Sequence, residues 1–263
     1  MMYTHNELYT LLEEKVKQYN CPEFIKSDPI LIPKQFSQKE NIEISGFLTA
    51  TIAWGQRPTI LKNAKKLMQA MDNNPFHFLK DTTENDWSHL SGFKHRTFNS
   101  ADLFFFMKSL QHIYRNHGGL EQVFTEGFRN GQTVFSALAH FRDVFFETGS
   151  LPRTRKHVPD VLKNASAKRL NMYLRWMVRN DNAGVDFGLW KGIPVSALML
   201  PLDVHTGNIS RGLGLLQRTQ NDWKAVAEVT DKLKEFDPDD PVKYDFALFG
   251  MGIFEKTGTI KHC

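Results

Sequence analysis

The chain has 263 residues, of which 41% are apolar, and this is enough for a sizeable core in one large domain or two small ones. Its net charge of +4 and pI of about 8.9 permit a polyanionic partner but do not require one. The two cysteines form no Cys-x-x-Cys pair, which argues against a thiolate zinc site or an iron–sulfur cluster. No signal-peptide pattern is present, and no apolar run approaches the roughly 18 residues that span a membrane, so we expect a cytoplasmic protein without a membrane partner.

Most of the sequence carries an apolar period of 3.6 residues, which predicts an all-α fold. In the first half, Pro58 suits the first turn of a helix, and Asn99 provides a start signal. The helices predicted here cover residues 6–19, residues 37–55, a stretch that begins after Arg57, residues 99–118, and residues 131–149 with Gly149 as C-cap. We find no internal repeat, and we expect one unit over residues 1–263, with a variable N-terminal lobe over about residues 1–150.

The second lobe, over about residues 151–263, carries the residues of chemical interest. It opens with a basic segment, residues 151–179, that holds eight Lys or Arg and a single acid, Asp160. An irregular stretch, DFGLWKGIPVSALML, follows, and two helices with predicted caps at Asn221 and Asp240 close the chain.

A helix predicted over residues 167–180 has an apolar face and, beside it, a basic stripe of Lys168, Arg175 and Arg179. Taken alone, the stripe is a solvated charged face. With the preceding basic segment it becomes a candidate surface for phosphates. The candidate nucleic-acid-binding residues are Arg153, Arg155, Lys156, Arg169, Arg175 and Arg179.

Lys168 is predicted in the first turn of that helix, after Asn164 and Ser166, either of which could be the cap. The positive end of the helix dipole disfavours an ammonium there, and partial burial acts in the same direction. Both effects favour the free amine that a nucleophilic lysine needs.

Asp203 follows an apolar run and precedes the predicted helix VHTGNISRGLGL, so it is either a structural N-cap or a catalytic acid. As a cap it would accept backbone N–H bonds, which favour the ionised carboxylate. An ionised acid beside a free amine could shuttle protons or stabilise a sugar cation while the amine attacks C1′ of a deoxyribose.

The stretch PLDVHTGNISRGLGLL resembles the helix-hairpin-helix DNA glycosylases, in which Pro-Val-Asp-Thr/Val-His precedes a helix and Arg-x-Leu-Gly-Leu follows. The resemblance covers about residues 160–253 and places the family's catalytic aspartate on Asp203. It implies a two-lobed all-α fold with a cleft between the lobes. The sequence has no P-loop, no dinucleotide fingerprint and no set of iron–sulfur ligands, so we expect no cofactor. The AWGQR and RLNMYLRWMVR stretches are also similar to an uncharacterised bacterial family that we group with these glycosylases.

The sequence departs from the family pattern in two places. KNASAKR stands where most members have a Gly-rich hairpin before the lysine helix, and Lys168 precedes Asp203 by 35 positions, about twice the usual spacing. The archaeal 8-oxoguanine glycosylases resemble this chain in both respects. Lys191, only 12 positions before Asp203, is the alternative nucleophile.

Three residues of AWGQR, Trp54, Gln56 and Arg57, are candidates for lining a base pocket, because flipped bases are read by stacking and amide hydrogen bonds. The alternative is a buried Trp at a helix end. His205 is interpreted as a supporting substrate-binding residue, and the ten histidines show no ligand spacing, so no metal site is expected.

These observations predict a base-excision DNA glycosylase, with or without abasic-site lyase activity, that acts on duplex DNA containing a damaged base or an abasic site. Two alternatives remain. The first is a nucleic-acid-binding protein without chemistry, which the missing hairpin glycines favour. The second is an interaction scaffold built from Phe-rich helices.

Overall fold

The computed structural model describes residues 3–255 and is mostly helical, with 66% helix and 2% strand, which confirms the all-α prediction. The α-helices are α1 (His5–Tyr19), α2 (Pro22–Ile25), α3 (Lys39–Thr51), α4 (Arg57–Ala70), α5 (Pro75–Asp81), α6 (Ser100–Asn116), α7 (Leu120–Gly131), α8 (Val134–Phe145), α9 (Lys168–Val178), α10 (Val204–Gly212), α11 (Trp223–Lys234) and α12 (Tyr244–Gly250). A short antiparallel hairpin joins β1 (Lys94–His95) to β2 (Phe98–Asn99). Within this part of the chain, no helix has both the length and the apolar character needed to cross a membrane.

Short helical turns connect many of these elements. The 3₁₀ turns are Pro29–Leu31, Pro33–Gln35, Glu84–Leu90, Pro152–His157, Val161–Lys163, Val195–Ala197 and Pro241–Lys243, and a π turn, Met251–Glu255, follows α12. The last helix differs from its prediction, because the turn after Asp240 is 3₁₀ and the α-helix starts only at Tyr244.

The chain divides into two units, which we describe separately: unit 1 contains residues 1–26 and 161–263, and unit 2 contains residues 27–160. Helix α1, which the sequence assigns to the first lobe, therefore belongs with the C-terminal residues. The reason is its apolar face. Leu8, Leu12 and Val16 pack in one core cluster with residues of α11 and α12.

Unit 2 has an aromatic core. Phe47 of α3 lies against Phe106 of α6 and against Phe141 and Phe145 of α8, with ring centroids 5.5–5.8 Å apart. These four phenylalanines are thus core residues.

Helix α7, like α5, is absent from the predicted helices. The sequence interpretation takes Gly118 and Gly119 as the end of a helix, and α6 does end just before them, with His117 as C-cap. Gly119, at φ +102°, is also the N-cap of α7. One glycine pair therefore ends one helix and starts the next, a double role that an end signal alone does not reveal.

Candidate functional site

The structure brings together the two residues proposed as catalytic. Lys168 is the first residue of α9, Asp203 caps α10, and Lys168 Nζ lies 3.8 Å from Asp203 Oδ2. Both side chains are about one quarter exposed, so the pair is partly shielded but open to solvent. An amine and a carboxylate, 35 positions apart in sequence, thus face each other at the starts of two helices.

The two carboxylate oxygens of Asp203 have different surroundings. Oδ1 accepts hydrogen bonds from the backbone N–H groups of His205 (2.8 Å) and Thr206 (3.0 Å) and lies 3.1 Å from Thr206 Oγ1. The predicted N-cap is therefore confirmed. Oδ2 faces Lys168 and makes no hydrogen bond to the described residues. One oxygen holds the helix, and the other is available for proton transfer or charge stabilisation.

The start of α9 differs from the prediction. Its N-cap is Ala167, at φ +51°, and neither Asn164 nor Ser166 caps the helix. Asn164 is also in the left-handed region, at φ +63°, and its side chain donates to Asp222 instead, while the Ser166 carbonyl accepts from Asn171. Both left-handed residues lie in KNASAKR, so this segment has a backbone conformation that usually requires glycine.

Hydrogen bonds tie the starts of three helices to one another. Asp222, rather than the predicted Asn221, is the N-cap of α11, and it accepts a 2.8 Å hydrogen bond from Asn164. Asn221 donates to the carbonyl of Asp203, the N-cap of α10. Arg218 donates to Asp222 and holds the pKa of this carboxyl well below its usual range. The positive ends of the α9, α10 and α11 dipoles are therefore held in one region, which favours anionic ligands.

Two residues of the glycosylase-like stretch support this arrangement. Arg211 donates to Asn221 Oδ1 (2.6 Å) and to the carbonyl of Arg218 (2.8 Å). Gly207 leaves room for them, because a Cβ there would come within 2.8 Å of Asn221 Oδ1 and 3.0 Å of Arg211 Nη1. These residues of the stretch thus have a local structural role: they fix the carbonyl of Asp203.

Arg175 and Arg179 are buried, with side chains only 3% and 2% exposed, so the prediction that they form part of a phosphate-binding surface is wrong. Arg175 pairs with Asp186 and Asp245, and Arg179 pairs with Asp186 and two further aspartates, Asp181 and Asp240. Burial alone would lower the pKa of Arg179, but the surrounding carboxylates outweigh it and raise the pKa. These aspartates come from segments later in the chain, which turn the basic stripe into a buried ion-pair network.

Asp245, on the first turn of α12, is a residue of this network that the sequence interpretation missed. Burial raises its pKa to about 6, although Arg175 and Lys168 act in the opposite direction, and the charge of Asp203 adds to the rise. The carboxyl of Asp245 is therefore coupled electrostatically to both members of the Lys168–Asp203 pair. Asp245 lies in the stretch YDFALFG, whose apolar residues are typical of a core helix and do not indicate an ion-pair network.

The other basic candidates remain at or near the surface. Arg153, Arg155 and Lys156 are exposed, and Arg169 is half-buried on the first turn of α9. Arg153 also has a structural role, because it donates to Asn99 Oδ1 and pairs with Asp102 at the start of α6. Arg155 lies over the Phe146 ring.

The AWGQR residues lie in unit 2, at the turn between α3 and α4. Trp54 is half-buried, with its ring edge-on to the buried His95 at a centroid distance of 4.9 Å. Gln56 is exposed and is the N-cap of α4 without a side-chain hydrogen bond, and Arg57 approaches Asp28 at 4.0 Å. Their role in reading a base stays a prediction.

The two remaining candidates lie in unit 1. His205 is exposed on the first turn of α10, and its contact with Asp203 is made by its backbone N–H rather than by its ring. Lys191 is exposed in an irregular segment, whereas Lys168 begins a helix. Of the two lysines, Lys168 has the observed pairing with Asp203.

Comparison with known protein families gives a match over residues 28–254 to a family described as "Protein of unknown function (DUF2400)". No curated protein and no solved structure matches the chain.

Proposed function

This chain belongs to the DUF2400 family, whose description names no activity, and from the geometry of its site we propose that it is a DNA N-glycosylase with abasic-site lyase activity. In this proposal the all-α chain has a helix-hairpin-helix glycosylase-like fold related to that of the archaeal 8-oxoguanine glycosylases. The substrate is duplex DNA with a damaged base or an abasic site, and the proposed compartment is the cytoplasm.

One observation carries the proposal: an amine and a carboxylate oxygen without a hydrogen bond to the described residues lie 3.8 Å apart at the linked starts of α9, α10 and α11. Structural ion pairs are common on protein surfaces and contribute about 0–1 kcal/mol. A lysine at the positive end of a helix dipole is unfavourable by about 0.3–1 kcal/mol at an exposed site. The stability of the fold therefore gives little reason for a lysine at this position, whereas a role of Lys168 as a nucleophile does give a reason.

The reaction uses the two groups in sequence. The target nucleotide is extruded from the duplex, and the Lys168 amine attacks C1′. The C1′–N bond breaks, its electron pair leaves with the base, and Asp203 Oδ2 accepts the proton released by the amine. The C1′–O4′ bond then breaks and O4′ takes up the proton held by Asp203, which gives a protonated imine at C1′. Loss of a C2′ proton breaks the C3′–O bond, whose electron pair leaves with the 3′ phosphate, and water hydrolyses the imine to free Lys168.

The segment before α9 supports DNA binding in this scheme. Asn164 and Ala167, both at positive φ, stand where the glycosylases have hairpin glycines. The N–H of Asn164 already donates to the carbonyl of Val161, so the attraction for a phosphate comes from the three helix starts, whose dipoles favour negative charge. In this proposal, the KNASAKR segment therefore takes part in DNA binding although it contains no glycine.

Borohydride trapping on abasic duplex DNA tests the proposal. Wild type and the control variant Lys191→Gln should form a covalent adduct, whereas Lys168→Gln should form none, because glutamine cannot make an imine. Lys168→Gln should still bind the DNA and should keep its stability to within about 1 kcal/mol.

Three other outcomes have distinct meanings. Trapping that survives in Lys168→Gln but is lost in Lys191→Gln would place the nucleophile on the irregular segment and overturn our assignment. If wild type neither traps nor releases a damaged base but binds DNA with strong salt dependence, the protein is a nucleic-acid-binding module. If wild type neither traps, nor releases a damaged base, nor binds DNA, the interaction scaffold is the remaining alternative.

A further inference from the structure

Two histidines and a glutamate meet in unit 2, at the ends of α6 and α8. His112 lies in the last turns of α6, His117 is its C-cap, and Glu147 lies in the turn that follows α8. Glu147 Oε2 is 2.8 Å from His112 Nε2 and 3.2 Å from His117 Nε2. The two Nε2 atoms are themselves 3.1 Å apart.

Hydrogen bonding to an ionised carboxylate cannot satisfy all three contacts at once. If both Nε2 atoms carry a proton, both N–H groups donate to the same Glu147 oxygen and lie side by side, with their nitrogens 3.1 Å apart and not bonded to each other. If only one carries a proton, one of the remaining contacts has no hydrogen. With Glu147 ionised, at least one of the three contacts is therefore not a hydrogen bond, whereas a cation among the three atoms would be bound by all of them.

The distances fit a metal ion. Metal–nitrogen and metal–oxygen bonds of about 2.0–2.2 Å place ligand atoms roughly 2.8–3.1 Å apart at right angles and roughly 3.3–3.6 Å apart at tetrahedral angles. The three observed separations are 2.8, 3.1 and 3.2 Å. Shifts of a few tenths of an ångström would therefore form the site.

The surroundings suit a ligand set with an open position. The side chains of His112, His117 and Glu147 are 26%, 25% and 46% exposed, so solvent can reach the ion. The amide of Asn116 lies 2.9 Å from His112 Nδ1. A half-turn of this amide presents its oxygen to Nδ1–H, which would orient the ring and leave Nε2 for the metal.

We propose that His112, His117 and Glu147 form a binding site for a borderline divalent transition-metal cation of the Zn²⁺ class. Two imidazoles and one carboxylate are a donor set used for catalytic Zn²⁺ and for non-haem Fe²⁺. The site is independent of the proposed glycosylase chemistry and contradicts the expectation of no metal site. That expectation rested on the lack of ligand spacing in the sequence, and this cluster shows none because it spans a helix end and the turn after a second helix.

Zinc titration of the full, tag-free chain by calorimetry tests the site, with Co²⁺ absorption as a second readout of nitrogen and oxygen ligation. Wild type should bind one Zn²⁺ per chain at this site with a Kd on the order of 1 µM or below. His112→Ala and Glu147→Gln should lose this binding, and Asn116→Ala should weaken it by about tenfold. Zn²⁺ should raise the Tm of wild type but not that of the ligand variants.

His77→Ala is the matched control, because His77 also lies beside a carboxylate, 3.8 Å from that of Asp81, on a helix of the same unit. This variant should bind Zn²⁺ like wild type. Circular dichroism identifies any variant that fails to fold, and Glu147→Gln, which keeps size and hydrogen bonding, guards against that loss. The proposal is overturned if wild type shows no saturable binding near micromolar Zn²⁺, or if folded His112→Ala and Glu147→Gln retain full affinity.

Discussion

Asp245 illustrates how burial and neighbouring charge act on a single side chain. Four aspartates surround the guanidinium groups of Arg175 and Arg179, and Asp203 adds a further carboxylate within electrostatic range. Burial also raises the pKa of Asp186, whereas a hydrogen bond from Asn20 and the charge of Arg179 outweigh burial at Asp181 and lower its pKa. The raised pKa of Asp245 lets this carboxyl take up a proton near pH 6, which reduces the negative charge around the two guanidinium groups.

We expect this raised pKa to appear in the pH dependence of stability. Because the pKa rises from an ordinary 3.8 to about 6 in the folded chain, the contribution of Asp245 to stability is fully present below pH 3.8 and is lost as pH rises through 6. Asp245→Asn keeps an acceptor for Arg175 but cannot ionise. Its free energy of unfolding relative to wild type should therefore increase from pH 4 to pH 7, by up to about 3 kcal/mol.

Urea unfolding at a series of pH values measures this difference. Asp231→Asn is the control, because Asp231 is exposed on α11 and its variant should follow wild type at every pH. Parallel curves for wild type and Asp245→Asn would contradict the raised pKa.

At the scale of the helix, Asp203 caps α10 with one carboxylate oxygen and faces Lys168 with the other, so its structural role and its proposed chemical role can be tested separately. Asp203→Asn retains an oxygen for the N–H groups of His205 and Thr206 but replaces the oxygen that faces Lys168. We expect this variant to keep wild-type stability and to lose base release. Asp203→Ala should lose base release and about 1 kcal/mol of stability.

Thermal unfolding and single-turnover base release on damaged duplex DNA separate the two effects. A fully active Asp203→Asn variant would leave Asp203 as a structural cap and remove it from the mechanism.

Local signals in the sequence predict many of the helices and several of their caps, although they miss α5 and α7. The caps at Asn99 and Asp203, the position of Pro58 in the first turn of α4, and the pairing partners Lys168 and Asp203 could all be named in advance. These features depend on the preferences of neighbouring residues or on a family-like motif. The observed pairing fits the motif, while the chemistry assigned to it is still a prediction.

Features set by distant residues could not be predicted. Asn164 fits a cap by type, but its side chain is taken by Asp222, which lies 58 positions later. Arg175 and Arg179 have the spacing of a solvated face, and only the fold brings aspartates from later segments around them. The same holds for Glu147, which meets His112 only because α6 and α8 end together.

At the scale of the whole molecule, the net charge of +4 does not describe the surface alone, because positive and negative side chains are also buried. In the proposed function, the exposed part of the basic segment is the surface that contacts DNA. Arg155 and Lys156 lie there, whereas Arg153 is engaged with Asp102.

We therefore expect Arg155→Ala with Lys156→Ala to weaken binding to duplex DNA regardless of sequence. The log–log salt dependence should fall by about one unit for each lost phosphate contact. Lys65→Ala with Lys66→Ala removes the same charge from the exposed face of α4 and should leave the slope unchanged. Fluorescence anisotropy over a range of salt concentrations gives the slopes, and equal losses in both double variants would argue against a localised DNA-binding surface.

The discontinuity of unit 1 has a consequence for the order of synthesis. Helix α1 is made before unit 2, but its partners on α11 and α12 are made only after all of unit 2. At a translation rate of about 5–20 residues per second, this separation leaves α1 unpaired for roughly 10–45 seconds. Unit 2 is contiguous and can fold during that interval, while Leu8, Leu12 and Val16 remain in contact with water or with a chaperone. Helix α1 is thus synthesised before the other described helices but is among the last to pack.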